Sequence, residues 1–371
     1  MSEHNQHVLL IAKDFPPTPG GVETYSEELA RAYAKAGCAV TVLTQHADDQ
    51  DSEGGREAAP YVLHRVARSC QVVVALRMLV ALIRLRSHES YDVVHSTTWR
   101  VGAMAQIVFP RAPRYLTVHG REIINFPFVV GPFLRWTVLR ATRIVAVSHA
   151  TAALLTDRFP RASDRVVVRW NGITYPDQAR QLALHRLPSP PLRVMSLARL
   201  VPRKNIDKCL LAVAALVADG IEVRYTVAGK GPESVRLQRL ADELGLGNSV
   251  VFAGYVPDDD LPGLYATHDI FLHPHSHAVG DNEFEGFGIV IADAMSFGCA
   301  VVTGRDGGPG DYIEHGVTGL LVDGDDSGEL TAALRSLAAD EGVRVQMAQQ
   351  GRDYALNHFS WLGHVEPLLR S

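Results

Sequence analysis

Val8-Leu-Leu-Ile-Ala12, followed by Phe15-Pro-Pro-Thr-Pro-Gly-Gly21, decides how this chain is read. Five consecutive apolar residues are too few for a buried helix and suit a strand covered on both faces. The proline and glycine run ends that strand, and an amphipathic stretch over 22–36 then reads as a helix leading to a second apolar strand over 39–43. Strand, loop, helix and strand in that order make a unit of a parallel sheet. Working outward, strand-like runs recur at 93–95, 115–118, 144–147 and 166–168, so residues 1–180 read as one doubly wound domain. The pattern then lapses into a polar segment ending Leu187-Pro-Ser-Pro-Pro191, placed as a linker over 181–191. It restarts with a strand over 192–197, a helix over 206–219 and a strand over 222–228, giving a second such domain over 192–355. A closing helix over 343–358 leads to Phe359-Ser-Trp361, and a tail over 356–371 is read as packing back on the first domain. Two doubly wound domains in series are expected to leave an interdomain cleft at the carboxyl ends of their strands.

Bulk properties agree with two globular domains. The 371 residues exceed what one core usually supports, and the composition is 47% hydrophobic and 21% charged. A net charge of −5 gives no overall basic field, so a nucleic-acid partner is not indicated. Cys38, Cys70, Cys209 and Cys299 are scattered with no paired spacing, which points to neither a zinc site nor a disulfide framework. Residues 1–7 are polar and the apolar run behind them is too short for an export signal. The uncharged run over 123–134 holds two prolines and falls short of the roughly 18 residues of a membrane span. A cytoplasmic protein is expected, at most peripheral on the inner face of the membrane.

Chemistry is expected in loops that follow strands. Gly20 and Gly21 open a helix, where amide groups and the helix dipole attract an anion, although a plain strand-to-helix turn also uses glycine. No dinucleotide fingerprint is present, because the G-x-G-x-x-G pattern is missing and Leu43-Thr-Gln-His46 replaces the acidic ribose reader. In Ala198-Arg199-Leu-Val-Pro-Arg203-Lys204-Asn205, fixed positive charge follows the second domain's first strand. Arg199 can fork phosphate oxygens and Lys204 can add a point charge, unless the turn is merely solvated. The stretch Asp281-Asn-Glu-Phe-Glu285-Gly-Phe-Gly-Ile-Val-Ile-Ala-Asp293 supplies two carboxylates eight residues apart, about 12 Å if helical throughout. That is near the hexose-to-ribose span of a nucleotide sugar, with the Gly-Phe-Gly amides toward the diphosphate.

Other features compete. His273-Pro-His275-Ser-His277 puts alternate imidazoles on one side of an extended chain, so a metal site is conceivable, although no cysteine completes the set. Asp258-Asp-Asp260 and Asp323-Gly-Asp-Asp326 read as helix caps rather than cation loops. Ser148-His149 is adjacent in sequence and makes no catalytic triad. The stretch over 65–86 interleaves apolar residues with Arg65, Arg68, Arg77, Arg84 and Arg86. It reads as a domain helix with arginines at its edge, or as a helix that docks on an anionic membrane.

Across nearly its whole length the chain resembles the retaining glycosyltransferases of family 4, the group 1 glycosyl transferases, whose GT-B fold pairs two Rossmann-like domains. The resemblance rests on Gly20-Gly21, on His119 in Thr117-Val-His-Gly120, on Arg199 with Lys204, and on the Glu285 segment that matches the family's E-x7-E motif. Gly229-Lys-Gly231, Phe252-Ala-Gly-Tyr-Val256 and Gly316-Val-Thr-Gly-Leu-Leu-Val322 extend it. It implies that the first domain binds the acceptor and the second the nucleotide sugar. Arg199 and Lys204 would hold the diphosphate, with Gly21 and Gly20 close by. Glu285 and His119 would meet the sugar, Val256 would lie near the base, and Gly229 would belong to the donor site. Phe287, Gly288 and Ile289 would line the phosphates. The second acid is Asp293 rather than Glu, one methylene shorter toward the ribose. The implied reaction moves a hexose-type unit from a UDP- or GDP-linked donor to a hydroxyl of a sugar or lipid-linked sugar, with no metal and no cofactor. A nucleotide-sugar epimerase and a non-catalytic nucleotide-sugar-binding protein are the alternatives.

Overall fold

Strands β1 (His7–Ile11), β2 (Ala39–Gln45), β3 (Val62–Val66), β4 (Val93–Ser96), β5 (Arg114–Val118), β6 (Arg143–Ala146) and β7 (Val166–Val168) build the first sheet of the computed structural model. The structure describes residues 5–45, 59–67, 69–124, 126, 130–182, 190–276 and 284–370. The first sheet runs β3-β2-β1-β4-β5-β6-β7, with every pairing parallel. Val8 to Ile11 are fully buried because helices cover both faces, as the uninterrupted apolar run requires. Those helices are α1 (Gly21–Lys35), α2 (Gln71–His88), α3 (Trp99–Val108), α4 (Arg121–Ile124), α5 (Gly131–Arg140) and α6 (His149–Arg158). One face packs Leu9 and Ile11 against Val74, Met78 and Leu82 of α2, and another cluster packs Leu116 and Val118 against Leu134 and Val138 of α5.

The second sheet has β8 (Leu192–Leu197), β9 (Val223–Ala228), β10 (Val250–Gly254), β11 (Ile270–His273), β12 (Ala300–Gly304) and β13 (Leu320–Val322), ordered β10-β9-β8-β11-β12-β13 and again all parallel. Its helices are α7 (Pro176–Gln181), α8 (Ile206–Ala218), α9 (Ser234–Glu243), α10 (Leu261–Ala266), α11 (Ile289–Ser296), α12 (Ser327–Ala339) and α13 (Glu341–His358). In each sheet the strand order reverses once, between β1 and β4 and between β8 and β11. In open sheets of this kind ligands bind where the loops leaving such strands diverge.

The two compact units are Met1–Asn171 with Trp361–Ser371, and Gly172–Ser360. The boundary therefore falls earlier than residue 180. Asp293 accepts a 2.7 Å hydrogen bond from the Thr174 amide, and Arg352 donates at 2.9 Å to the Ala179 carbonyl, which tie residues 174–179 to the second unit. Helix α14 (Trp361–Leu369) belongs to the first unit, where Trp361 packs on Tyr25 and the Leu368 carbonyl accepts from the Tyr115 hydroxyl at 3.0 Å. Residues 183–189, most of the expected linker, lie outside the described residues. Strand β3 corrects the reading of 65–86 as one helix. Arg65 sits on this partly exposed edge strand and donates to the Pro16 carbonyl at 2.7 Å, and α2 begins only at Gln71.

Candidate active site

Past β8 the chain runs through Arg199 into a short turn, Pro202–Lys204, and then into α8. Asn205 adopts a left-handed conformation (φ 51°) at this junction. Its side-chain amide donates to the carbonyls of Pro274 (2.9 Å) and Gly324 (2.8 Å), pinning the turn over the end of β11. Lys204 is thereby buried with its ammonium 2.7 Å from His273 Nε2 and in an ion pair with the Glu285 carboxylate. Arg203 Nη1 reaches the same Glu285 oxygen at 2.9 Å, and His273 Nε2 lies 3.5 Å from it. The cluster stands where β8 and β11 adjoin, the switch point of the second sheet.

Two cations around one carboxylate fix its charge. Burial alone would raise the Glu285 carboxyl, but the neighbouring Lys204 and Arg203 cations outweigh it and hold it well below the usual range. Burial, and then the neighbouring Lys204 charge, push His273 down to about 3, so its Nε2 lone pair accepts from Lys204. Arg199 stands exposed on the same loop, outside this cluster. Arg203 and His273 were not singled out from sequence for these contacts. The signals were present, in an arginine adjoining Lys204 and a histidine ending a strand, but the pairing across 82 and 69 residues was not.

The descent from Glu285 into α11 differs from a continuous helix. Residues 285–288 are irregular, and α11 starts at Ile289, because Gly288 takes a positive φ of 80°. The 12 Å helical spacing of Glu285 and Asp293 does not apply. The Phe287 ring is buried against Tyr312 and Phe359, and Tyr312 donates to the Phe287 carbonyl at 2.8 Å, so its side chain serves the core. Ile289 is also buried, which leaves the backbone amides of this turn as the groups able to meet an anion. Asp293 is 3% exposed, and burial pushes its carboxyl up to about 7 while Oδ1 accepts from Thr174. Gly229 is required sterically: a Cβ there would come within 1.9 Å of the Ala198 carbonyl oxygen beside Arg199. Val256 lies half-buried just beyond β10.

His273, His275 and Glu285 bring ligand atoms within 4.8 Å of one another. Lys204 already engages His273 Nε2 and Glu285, and His275 Nε2 donates to the Asp306 carbonyl at 2.7 Å, so the cluster is wired for a fixed ammonium. His277 and residues 281–283 lie outside the described residues.

In the first unit, Gly20 and Gly21 do open α1, with no side-chain cap. The Glu23 carboxylate lies over Gly20, where a Cβ would come within 2.2 Å of its Oε2. His119 follows β5. Its Nε2–H donates to the Thr97 carbonyl at 3.1 Å, leaving the lone pair on Nδ1, and its amide donates to Glu122 at 2.6 Å. Burial lowers its pKa, so the ring is neutral at pH 7. Ser148 caps α6 by accepting the Thr151 amide at 3.0 Å, while His149 packs on Trp170. Asp326 caps α12, whereas Asp260 makes no such side-chain bond to α10.

Residues 19–175 match Glycosyltransferase Family 4, and residues 177–354 match Glycosyl transferases group 1. The chain is 30% identical, over 95% of each sequence, to the GDP-mannose-dependent alpha-(1-6)-phosphatidylinositol monomannoside mannosyltransferase of Mycolicibacterium smegmatis. This chain belongs to the family 4 glycosyltransferases. Another relative of this family 4 chain, the D-inositol 3-phosphate glycosyltransferase of Salinispora arenicola, is 30% identical over 94% of this chain and 86% of that sequence. Among solved structures, sucrose-phosphate synthase from Thermosynechococcus elongatus superposes with a TM-score of 0.79 at 19% identity, covering 99% and 98% of the two chains. Anabaena HepE in complex with UDP-glucose gives 0.76 at 22%, covering 99% of each. Both confirm the GT-B fold.

Proposed function

We propose that this family 4 glycosyltransferase moves a hexosyl unit from a nucleoside diphosphate sugar to a hydroxyl acceptor with retention of configuration. The reading is carried by the Lys204, Glu285 and His273 cluster at the switch point, beside the amide-rich turn into α11. The names of the relatives favour GDP-mannose as the first donor to test and an inositol-containing or lipid-linked sugar as the first acceptor, with UDP-linked hexoses next.

In the proposed reaction the bond from the anomeric carbon to the diphosphate oxygen breaks, and the acceptor oxygen bonds to the same face. The acceptor proton passes to the departing phosphate. Negative charge grows on the diphosphate, and Arg199, Lys204 and the α11 amides meet it, so they stabilise the transition state above the ground state. Glu285, kept ionised by Lys204 and Arg203, faces the cationic sugar. His119 accepts a sugar hydroxyl through Nδ1. Gly20 and Gly21 approach the phosphate, Gly229 and Val256 the base, and Asp293 the ribose through its second oxygen. No metal is assigned a role.

Acceptor access would come from a membrane surface. Among the described residues no helix is long and apolar enough to cross a membrane. On α2, however, Val72, Leu76, Val80 and Ile83 form an exposed stripe, and the helix carries Arg77, Arg84 and Arg86 with no carboxylate. Arg77 and Arg86 each donate to a neutral carbonyl and so keep their charge. Arg68 lies outside the described residues. Co-sedimentation with anionic but not neutral vesicles, lost in Leu76→Glu/Ile83→Glu, supports this docking; equal recovery without lipid refutes it.

The function itself is tested with a donor panel with and without acceptors. Acceptor-dependent nucleotide release supports transfer, an isomerised donor supports an epimerase, and binding without turnover supports a binding protein. Arg199→Ala should lower turnover by about 10²-fold, and unchanged turnover removes Arg199 from the site.

A further inference from the structure

Beneath His119 a single file of buried polar groups crosses the first unit. Tyr33 Oη lies 2.8 Å from His95 Nδ1, and His95 Nε2 lies 2.8 Å from Thr117 Oγ1. Thr117 Oγ1 lies 2.8 Å from Tyr25 Oη, which lies 3.1 Å from His364 Nε2, and His364 Nδ1 lies 3.0 Å from the Trp170 carbonyl. All five side chains are buried, at 1% exposure or less.

The last member sets the direction of the whole file. A carbonyl can only accept, so His364 Nδ1 carries the proton and Nε2 must accept from Tyr25. Tyr25 then accepts from Thr117, Thr117 accepts from His95 Nε2–H, and His95 Nδ1 accepts from Tyr33. Every group is satisfied with both imidazoles neutral, and no second arrangement satisfies them all. Burial pushes His95 down to about 3 and His364 to about 4, in keeping with that state. A half-satisfied network would be worse than an apolar core, so a cut at any link affects its neighbours.

The centre of the file touches His119. The Tyr25 ring stands edge-on to the His119 imidazole, with centroids 4.8 Å apart and planes at 85°. Thr97 holds one nitrogen of that imidazole, and Tyr25 forms the wall beside it. Tyr25 itself is fixed from α14, by the Tyr25 to His364 bond and by Trp361 packed 5.6 Å away. We propose that Tyr25 and His364 are positioning residues for His119, so that helix α14, at the far end of the sequence, sets the orientation of the imidazole that meets the donor sugar. This rests on the role given to His119 above.

The test compares His119→Ala, Tyr25→Phe, His364→Phe and His364→Gln, the last retaining an acceptor for the Tyr25 hydroxyl. Tyr25→Phe and His364→Phe should lower kcat by about ten-fold or more with donor KM within about two-fold, as misplacement of a reacting group does. His364→Gln should recover most of that loss. The His119 imidazole NMR signal, identified by its disappearance in His119→Ala, should shift in His364→Phe, as the Tyr25 ring moves, and return in His364→Gln. Thr117→Val, which cuts the same file with little change of shape, replaces Tyr25→Phe should that variant fail to fold. Wild-type kcat and an unmoved His119 signal in the Phe variants, with His119→Ala inactive, overturn the positioning inference and leave the role of His119 standing. An active His119→Ala overturns both.

Discussion

The two units bury polar groups at their switch points in opposite ways. The second unit buries an ionic cluster, in which Lys204 and Arg203 converge on one Glu285 oxygen beside His273. The first buries a neutral file of two tyrosines, two histidines and a threonine. A charge cluster costs much desolvation and is stable only while complete, whereas a neutral file needs only that each donor find its acceptor. The ionic cluster fits the diphosphate site proposed above, since its cations are already in place. The neutral file exerts no long-range field and offers rigidity instead.

Breaking each unit at one link should expose the difference. The largest effect is expected for Lys204→Ala, which leaves Glu285 without its nearest cation. Urea unfolding should show a loss of about 3–5 kcal/mol, and turnover should fall by about 10²-fold or more. In the first unit Thr117→Val should cost only about 1–3 kcal/mol by the same assay. Equal costs would remove the distinction between the two designs.

Acidity should separate them further. His95 and His364 have depressed folded pKa values, so the stability they confer is complete above about pH 6.5 and is lost as pH falls through about 4 and then about 3. Asp293 has the reverse slope. Its carboxyl titrates near 7 in the fold against about 3.9 when unfolded, so its contribution is complete below about pH 4 and is lost as pH rises through 7. Asn at this position can still accept the Thr174 amide. Asp293→Asn should therefore abolish a stability loss on the order of a few kcal/mol between pH 4 and 8, read from unfolding curves across that range. An unchanged pH profile would place the titration elsewhere.

The smallest expected effect concerns the Glu23 carboxylate of the first unit. The Glu23 carboxylate lies over Gly20 at the start of α1, where the donor phosphate is proposed to approach. Glu23→Gln should tighten donor binding by about two- to five-fold, the scale of a charge at a helix terminus, measured by titration calorimetry. Weaker binding would show instead that Glu23 assists the donor.

Much of the architecture was readable because parallel strands buried on both faces write themselves as apolar runs, as Val8 to Ala12 do. Strand β3 was not, since it exposes apolar Val62 and half-buries Arg65, so its alternating exposure does not show in its hydropathy. Lys204 and Glu285 were both singled out in the sequence and meet in one ion pair, whereas Arg199 stands outside that cluster. What Glu285 touches was not legible, because the left-handed turns at Asn205 and Gly288 redirect the chain in ways that residue order does not display. The neutral file was least legible of all. Tyr25 and His364 are 339 residues apart, and a lone histidine or tyrosine within an apolar pattern looks like any other core residue.

The place of α14 also bears on how the chain is made. Domains generally fold as they leave the ribosome, the N-terminal one first. Here the first unit takes α14 from beyond the end of the second, so until synthesis reaches His364 the Tyr25 hydroxyl has no imidazole acceptor and Tyr115 lacks the Leu368 carbonyl. The unit translated first is thus the one completed last, and a nascent chain acquires its finished His119 pocket only after the second unit has been made.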